Sequence, residues 1–246
     1  LTGWVTQGPK VQEFEEKFAA YVGSKFAIAV SNCTAALHLA MITAGIRDGD
    51  EVICPSLSYI ATANSITYVH AKPVFAEVGK DYNLDIEDVK KRITKKTKAI
   101  LLVHQIGVSA DIDAFRTLCN ENGITLIEDA ACAIGSEYKG NKIGSHSDLV
   151  CFSFHPRKVI TTGDGGMITT SNEAFYNRIK ILRQHGMSVN DRIRHLSNRV
   201  INEEYIEVGY NYRMTDIQAA VGIKQLEKLD WIIEKRRDIA KKYIEE

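Results

Sequence analysis

Short runs of β-branched and apolar residues recur at positions 26–30, 51–54, 74–78, 99–103, 124–127, 149–154 and 166–170, and segments of helical periodicity lie between most of them, at 11–22, 34–44, 61–70, 112–122 and 174–184. Apolar runs of strand length that alternate with helices form sheets that are parallel and covered on both faces. The chain is therefore expected to be an α/β protein, a three-layer α/β/α arrangement around a mostly parallel central sheet. Ligands of such sheets bind beyond the carboxyl ends of the strands, so the polar residues that directly follow a strand are the ones to examine for chemistry. There is no internal repeat and no low-complexity linker, and one domain is expected to cover residues 1–230. Residues 215–243 carry Ile217, Val221, Leu226, Leu229 and Ile233 among many charges and read as one long helix leaving that domain. On this reading residues 231–246 begin a helix leading to a smaller C-terminal domain that is missing. The chain opens at Leu1 rather than Met and stops at Glu246 inside a charged, helix-forming stretch with no terminating residue, as a fragment would.

Composition excludes several classes. Lys plus Arg equals Asp plus Glu at 31 each, which leaves no electrostatic reason for a nucleic-acid or anionic-membrane partner, so any phosphate has to be held locally. No apolar run approaches the roughly 20 residues that a spanning helix needs, and no basic-then-apolar leader is present. The expectation is a soluble, cytoplasmic protein. Its five cysteines, Cys33, Cys54, Cys119, Cys132 and Cys151, are far apart, with no paired spacing and no histidine at zinc-ligand distance. They read as free thiols, mostly buried, and no metal is expected.

Three post-strand segments carry chemistry. The strand at 149–154 runs into His155-Pro156-Arg157-Lys158 and then a glycine-rich turn, Gly163-Asp164-Gly165-Gly166, whose freedom suits a close approach to a ligand. The strand at 124–127 ends in Glu128-Asp129-Ala130-Ala131-Cys132, where a carboxylate could hold a pyridinium nitrogen protonated, cap the next helix or bind a metal. The strand at 26–30 is followed by Ser31-Asn32-Cys33-Thr34 and an Ala/Leu-rich helix, whose open amides and dipole attract phosphate. Each segment alone has an ordinary structural explanation: a solvated lysine, a helix cap, a helix start. Together they supply the anchor, electron sink and covalent tether that pyridoxal 5′-phosphate (PLP) requires.

At this point the chain resembles the DegT/StrS-type nucleotide-sugar aminotransferases, PLP enzymes of the aspartate aminotransferase fold. The resemblance runs from Gly3 to about Leu229. It rests on Gly8-Pro9-Lys10 with the following Phe14-Glu15, and on SNCTAALHLA at 31–40, GDEVICPSLSYIATANSI at 49–66, EDAACAIGS at 128–136, FSFHPRKVITTGDGGM at 152–167, LRQHGM at 182–187 and GYNYRMTDIQAA at 209–220.

The resemblance implies roles. Lys158 would tether the cofactor and then move the proton, and Asp129 would pair with the ring nitrogen. Thr34 and Ala35 would offer backbone N–H groups, and Ser153 its hydroxyl, to the phosphate. Tyr59 would lie over the cofactor face. Asn211 and Arg213 are similar to residues that the family donates from a neighbouring subunit, Asn to the phosphate and Arg towards the substrate, which implies a homodimer with shared active sites. The reaction implied moves an amino group from an amino acid, L-glutamate in the first instance, to a keto-deoxysugar linked to a nucleotide, for polysaccharide or glycoconjugate synthesis. Cys132 departs from the pattern: it stands beside the cofactor's phenolic oxygen where the family usually has Gln or His, and a thiol is a much weaker hydrogen-bond partner. Cys33 replaces a usual small residue. His155, three residues before Lys158, is a candidate for substrate contact, whereas His185 is expected to hold position or lie at the surface. Two alternatives keep the fold: a PLP-dependent sugar dehydratase, which has His in place of the lysine, and a non-catalytic regulatory protein.

Overall fold

The computed structural model describes residues 4–188 and 203–245. Leu1, Gly3 at the start of the family resemblance, and Glu246 lie outside the described residues.

Seven strands form the central sheet: β1 (Phe26–Val30), β2 (Glu51–Pro55), β3 (Lys72–Ala76), β4 (Thr97–Val103), β5 (Thr125–Asp129), β8 (Val150–Ser153) and β9 (Gly166–Thr170). A small hairpin, β6 (Glu137–Tyr138) with β7 (Asn141–Lys142), stands apart. The sheet order is β1-β9-β8-β5-β4-β2-β3; β3, β2, β4, β5 and β8 pair in parallel, and β9 runs antiparallel to both its neighbours. The expected mostly parallel sheet is thus present.

In every strand of the sheet but the edge strand β3, successive residues enter opposite cores, as the two-residue period of a pleated strand demands. Ile28, Val30, Val52, Leu101, Ile127 and Cys151 meet α2 (Cys33–Thr43), α3 (Ala61–Thr67) and α6 (Glu173–Leu182) on one face. Ala27, Ala29, Ile53, Ile100, Leu102 and Phe152 meet α1 (Pro9–Val22), α4 (Ile86–Arg92), α5 (Ile112–Asn122) and α7 (Asp216–Leu226) on the other. The result is the expected three-layer α/β/α arrangement. On the second face Phe14, Phe18, Phe152 and Phe154 interlock, with the Phe18 ring 5.1 Å from Phe152 and 5.5 Å from Phe154, both edge-on.

Two of the sequence motifs serve this packing. The N-terminus of α1 sits on Asp216, the first residue of α7: its Oδ1 accepts the Gly8 and Val11 amides at 2.8 and 3.0 Å, and its Oδ2 accepts the Lys10 amide at 3.2 Å. Pro9 between them has no N–H to satisfy, so one remote carboxylate caps the entire first turn. Glu15, also on α1, forms a buried ion pair with Arg183 and accepts the Ala29 amide at 2.8 Å, while Arg183 donates to the Ala29 carbonyl at 2.7 Å. A buried ion pair of this kind is sustained only by such added hydrogen bonds.

The structure corrects the sequence reading in three places. The strand expected at 74–78 lies at Lys72–Ala76, because its ladder with β2 begins at Glu51↔Lys72; Pro73 is tolerated there since β3 is an edge strand. The short helix α4 went unread because Val89 is its one buried residue, too little to show a period; it is defined instead by its Asp85 cap, acidic first turn and basic last turn. Residues 215–243 form two helices, α7 and α8 (Leu229–Glu245), with Leu229 buried at the junction. Among the described residues no helix is long and apolar enough to cross a membrane.

Candidate active site

A cleft of about 980 Å³ opens at the carboxyl ends of the strands. It is lined from five of them: Asn32 to Ala35 after β1, Ser58 and Tyr59 after β2, His104 after β4, Asp129 and Cys132 at the end of β5, and Ser153, His155 and Lys158 at the end of β8. Lys158, Asp129, Thr34, Ala35, Tyr59, Cys132, Ser153 and His155, all singled out from sequence, share this one space.

The loop that carries Lys158 is built to hold its shape. The Lys158 amide donates to the His155 carbonyl at 2.8 Å, the Thr161 hydroxyl to the Phe154 carbonyl at 2.8 Å, and the His155 amide to Ser153 Oγ at 3.3 Å. Helix α7 adds two struts from outside: Gln218 Nε2 donates to the Asp164 carbonyl at 2.9 Å, and Gln225 Oε1 accepts the Thr161 amide at 3.3 Å. The Lys158 amine rests 3.0 Å from Cys132 Sγ, the exposed one of the five thiols; the other four are buried.

Asp129 is buried, and burial pushes its carboxyl above the usual range. The Ala131 amide, the Thr62 hydroxyl and the positive charge of Lys158 pull in the opposite direction. Its Oδ1 accepts the Ala131 amide and its Oδ2 the Thr62 hydroxyl, each at 3.1 Å. A carboxylate oxygen has two lone-pair directions, so each oxygen keeps capacity for one further donor. Glu128, the adjacent acid, points to the other face and pairs with His104 Nε2 at 2.8 Å; neither side chain is exposed. The Ala110 amide donates to His104 Nδ1 at 3.2 Å, which assigns the ring hydrogen to Nε2 and makes the histidine the donor to Glu128.

At the start of α2, Asn32 Oδ1 accepts the Ala35 amide at 2.8 Å as an N-cap. Ala35 therefore has its N–H engaged within the protein, and the anion-attracting part of this terminus is the preceding Cys33-Thr34 turn. Within the glycine-rich turn, Gly166 has a packing use of its own. A Cβ on Gly166 would lie 2.5 Å from the Asn32 carbonyl carbon and 2.8 Å from the Cys33 amide nitrogen, so this glycine lets β9 pack against the beginning of α2 and fixes that helix terminus at the cleft.

Asn211 and Arg213 do not line the cleft. Their segment is strand-like, pairing Gln184↔Asn211 and Val30↔Arg213. With the two-residue period, Tyr210 and Tyr212 stack on each other inward, 5.1 Å apart, against His38, while Asn211 and Arg213 share the opposite side, 3.3 Å apart. This segment is locked by Gly186 and Gly209: a Cβ on Gly186, whose φ is +75°, would fall 1.8 Å from the Glu207 carbonyl oxygen. His185 is exposed.

Sequence reasoning missed Ser58, Thr62, His104 and His38. His104 directly follows β4 and the post-strand rule reaches it; Thr62 lies inside a helix, four residues beyond the loop serine it contacts, and no local pattern marks it.

The model of the DegT/DnrJ/EryC1/StrS aminotransferase family matches residues 1–246. The uncharacterized protein MJ1066 of Methanocaldococcus jannaschii is 47% identical over 244 residues, covering 99% of this chain and 63% of the relative. GDP-perosamine synthase of Vibrio cholerae is 43% identical over 244 residues, covering 98% of this chain and 64% of the synthase. Among solved structures, Spr1654 of Streptococcus pneumoniae in its PLP-form superposes with a TM-score of 0.91 at 30% identity, covering 99% of this chain and 65% of that one. The chain thus spans slightly under two thirds of the length of these curated relatives.

Proposed function

The chain belongs to the DegT/DnrJ/EryC1/StrS aminotransferase family, and from that premise we propose that the protein is a PLP-dependent aminotransferase acting on a keto-deoxysugar linked to a nucleotide. The amino donor is an amino acid, L-glutamate in this reading, and the aminated sugar enters polysaccharide or other glycoconjugate synthesis in the cytoplasm. The observation that carries the proposal is the convergence of Lys158 and Asp129 on one cleft at the sheet's carboxyl edge, beside the first turn of α2.

These residues fit the cofactor. The buried Asp129 carboxylate has hydrogen-bond capacity left on both oxygens and suits a protonated ring nitrogen. The Cys33-Thr34 turn and the Ser153 hydroxyl suit a phosphate dianion, with Ala35 contributing through the capped turn that it completes. The exposed ring of Tyr59 is available to cover a planar ligand, and His155 and Arg157 stand at the cleft where a substrate's polar groups would meet them. When bound, PLP supplies the electron sink that lets an amino group leave one carbon and join another. Lys158 would hold the cofactor, and its free amine would serve as the base that moves the proton. Cys132 Sγ, 3.0 Å from that amine, accepts a hydrogen bond from it while the lysine is free.

The outward placement of Asn211 and Arg213 supports a homodimer in which each subunit lends them to its partner's site, Asn to the phosphate and Arg to the substrate. The domain division belongs to the same proposal: residues 1–230 bind the cofactor, and 231–246 begin the passage to a second, smaller domain. The exposure of α8 beyond Leu229 supports it. A lysine at 158 weighs against the sugar dehydratase reading, which needs histidine there. The test is Lys158→Ala in the holoenzyme, with expected loss of both the bound cofactor's visible absorbance and glutamate-dependent turnover; a variant that keeps both refutes the assignment.

A further inference from the structure

Asp129 receives one hydroxyl, and the donor of that hydroxyl is itself held from the cleft. Thr62 is buried, with its Oγ 3.1 Å from Asp129 Oδ2 and 2.7 Å from Ser58 Oγ, and Ser58 lines the cleft. Counting hydrogens fixes the direction of the chain. An ionised carboxylate only accepts, so the single Thr62 hydrogen goes to Asp129, and Ser58 must then donate to Thr62. The loop from β2 into α3 thereby links the cleft surface to the acid through two hydroxyls, and its helix start is anchored by the Thr62 amide on the Tyr59 carbonyl at 3.0 Å.

We propose that Thr62 is a positioning residue, whose hydroxyl, steered by Ser58, fixes both the orientation and the negative charge of Asp129 against the cofactor's ring nitrogen. This rests on the proposed PLP reading. The alternatives around Asp129 do not replace Thr62. Lys158 is committed to the cofactor, His104 is turned to Glu128, and Cys33 and Cys151 are buried thiols that burial holds protonated. Cys132 faces Lys158. The Ala131 amide serves the other carboxylate oxygen. Thr62 is therefore the one side-chain hydroxyl, among the described residues in contact with Asp129, that favours its ionised form.

The experiment compares wild type, Thr62→Val and Thr62→Ser holoenzymes, following bound-cofactor absorbance and cofactor dissociation across pH. Valine preserves shape and removes the donor, so the carboxyl protonates more readily. Cofactor retention should then fail, as pH falls, about one pH unit earlier than in wild type, with roughly fivefold weaker binding at the wild-type midpoint. Serine keeps the hydroxyl and should restore the wild-type profile. A Thr62→Val protein with an unshifted profile overturns the proposal even if its affinity drops, since packing damage alone moves affinity without moving the midpoint. A serine variant that fails to restore the profile overturns it as well. Absence of cofactor binding in wild type would sink the PLP reading itself, and this proposal with it.

Discussion

Replacing Asp216 with alanine should unseat α1, and the cost can be worked from the bonds it makes. Two of its three amide partners, Gly8 and Val11, are in buried bonds at 2.8 and 3.0 Å; the third, Lys10 at 3.2 Å, is partly open to water. A hydrogen bond to a charged acceptor is worth about 1.5–3 kcal/mol, and the two buried donors would be left unsatisfied, whereas water replaces the carboxylate at Lys10. Loss of an acid from the first turn of α7 adds about 0.3–1 kcal/mol. Because neighbouring bonds do not add fully, the expected destabilisation is about 4 kcal/mol. For a domain of this size that lowers the melting midpoint by roughly 8–16 °C. Asp216→Asn keeps one acceptor oxygen and should lose about half as much. Urea unfolding followed by far-UV circular dichroism measures both. An alanine variant within about 1 kcal/mol of wild type would show that the carboxylate is not what seats the helix.

Three further outcomes follow from the site. Burial holds the Asp129 carboxyl above its ordinary range in the cofactor-free protein, so the folded state binds that proton more readily than the unfolded chain does. Asp129→Asn should therefore raise the melting midpoint of the cofactor-free protein at neutral pH, with the gain shrinking as pH falls through the raised folded-state range and lost by the time it reaches the ordinary carboxylate range, and should weaken cofactor binding; melts at two pH values and a cofactor titration test it. Burial pushes the thiols of Cys54 and Cys119 up to about 12 and holds those of Cys33 and Cys151 well above the usual thiol range, while Cys132 is exposed. Iodoacetamide should accordingly label Cys132 first, and PLP should protect it; peptide mass mapping that finds another cysteine labelled faster contradicts the cleft geometry. Gly186→Ala places a Cβ against the Glu207 carbonyl at a φ of +75°, so it should cost more than about 1 kcal/mol in a denaturant melt, and a neutral result would refute that close approach.

The fold was legible where the chain obeys a strong local rule. Phe26–Val30 is apolar throughout and Gly166–Thr170 is buried throughout because both faces of the sheet are covered, and their bounds match the sequence reading. The rule fails where something other than apolar spacing decides. The limits of β3 are set by its ladder with β2, and α4 is made by charges and a cap rather than by apolar spacing. The site divides in the same way. Lys158, Asp129 and Ser153 follow strand ends and could be found by that placement, whereas Thr62 matters only because α3 brings it to a residue 67 positions away. The Gly8-Pro9-Lys10 and Leu182-Arg183 motifs are recognisable as patterns, yet their service to α1 emerges only when Asp216 and Glu15 are seen in place.

Residues 210–213 keep two jobs apart by phase alone. Their odd and even positions face opposite ways, so a substitution touches one job, but gaining or losing a single residue would exchange them, burying Asn211 and Arg213 beside His38 and sending both tyrosines out. Length here is under tighter constraint than chemistry: homologues and engineered variants should vary in side chain along this strip far more readily than in residue number.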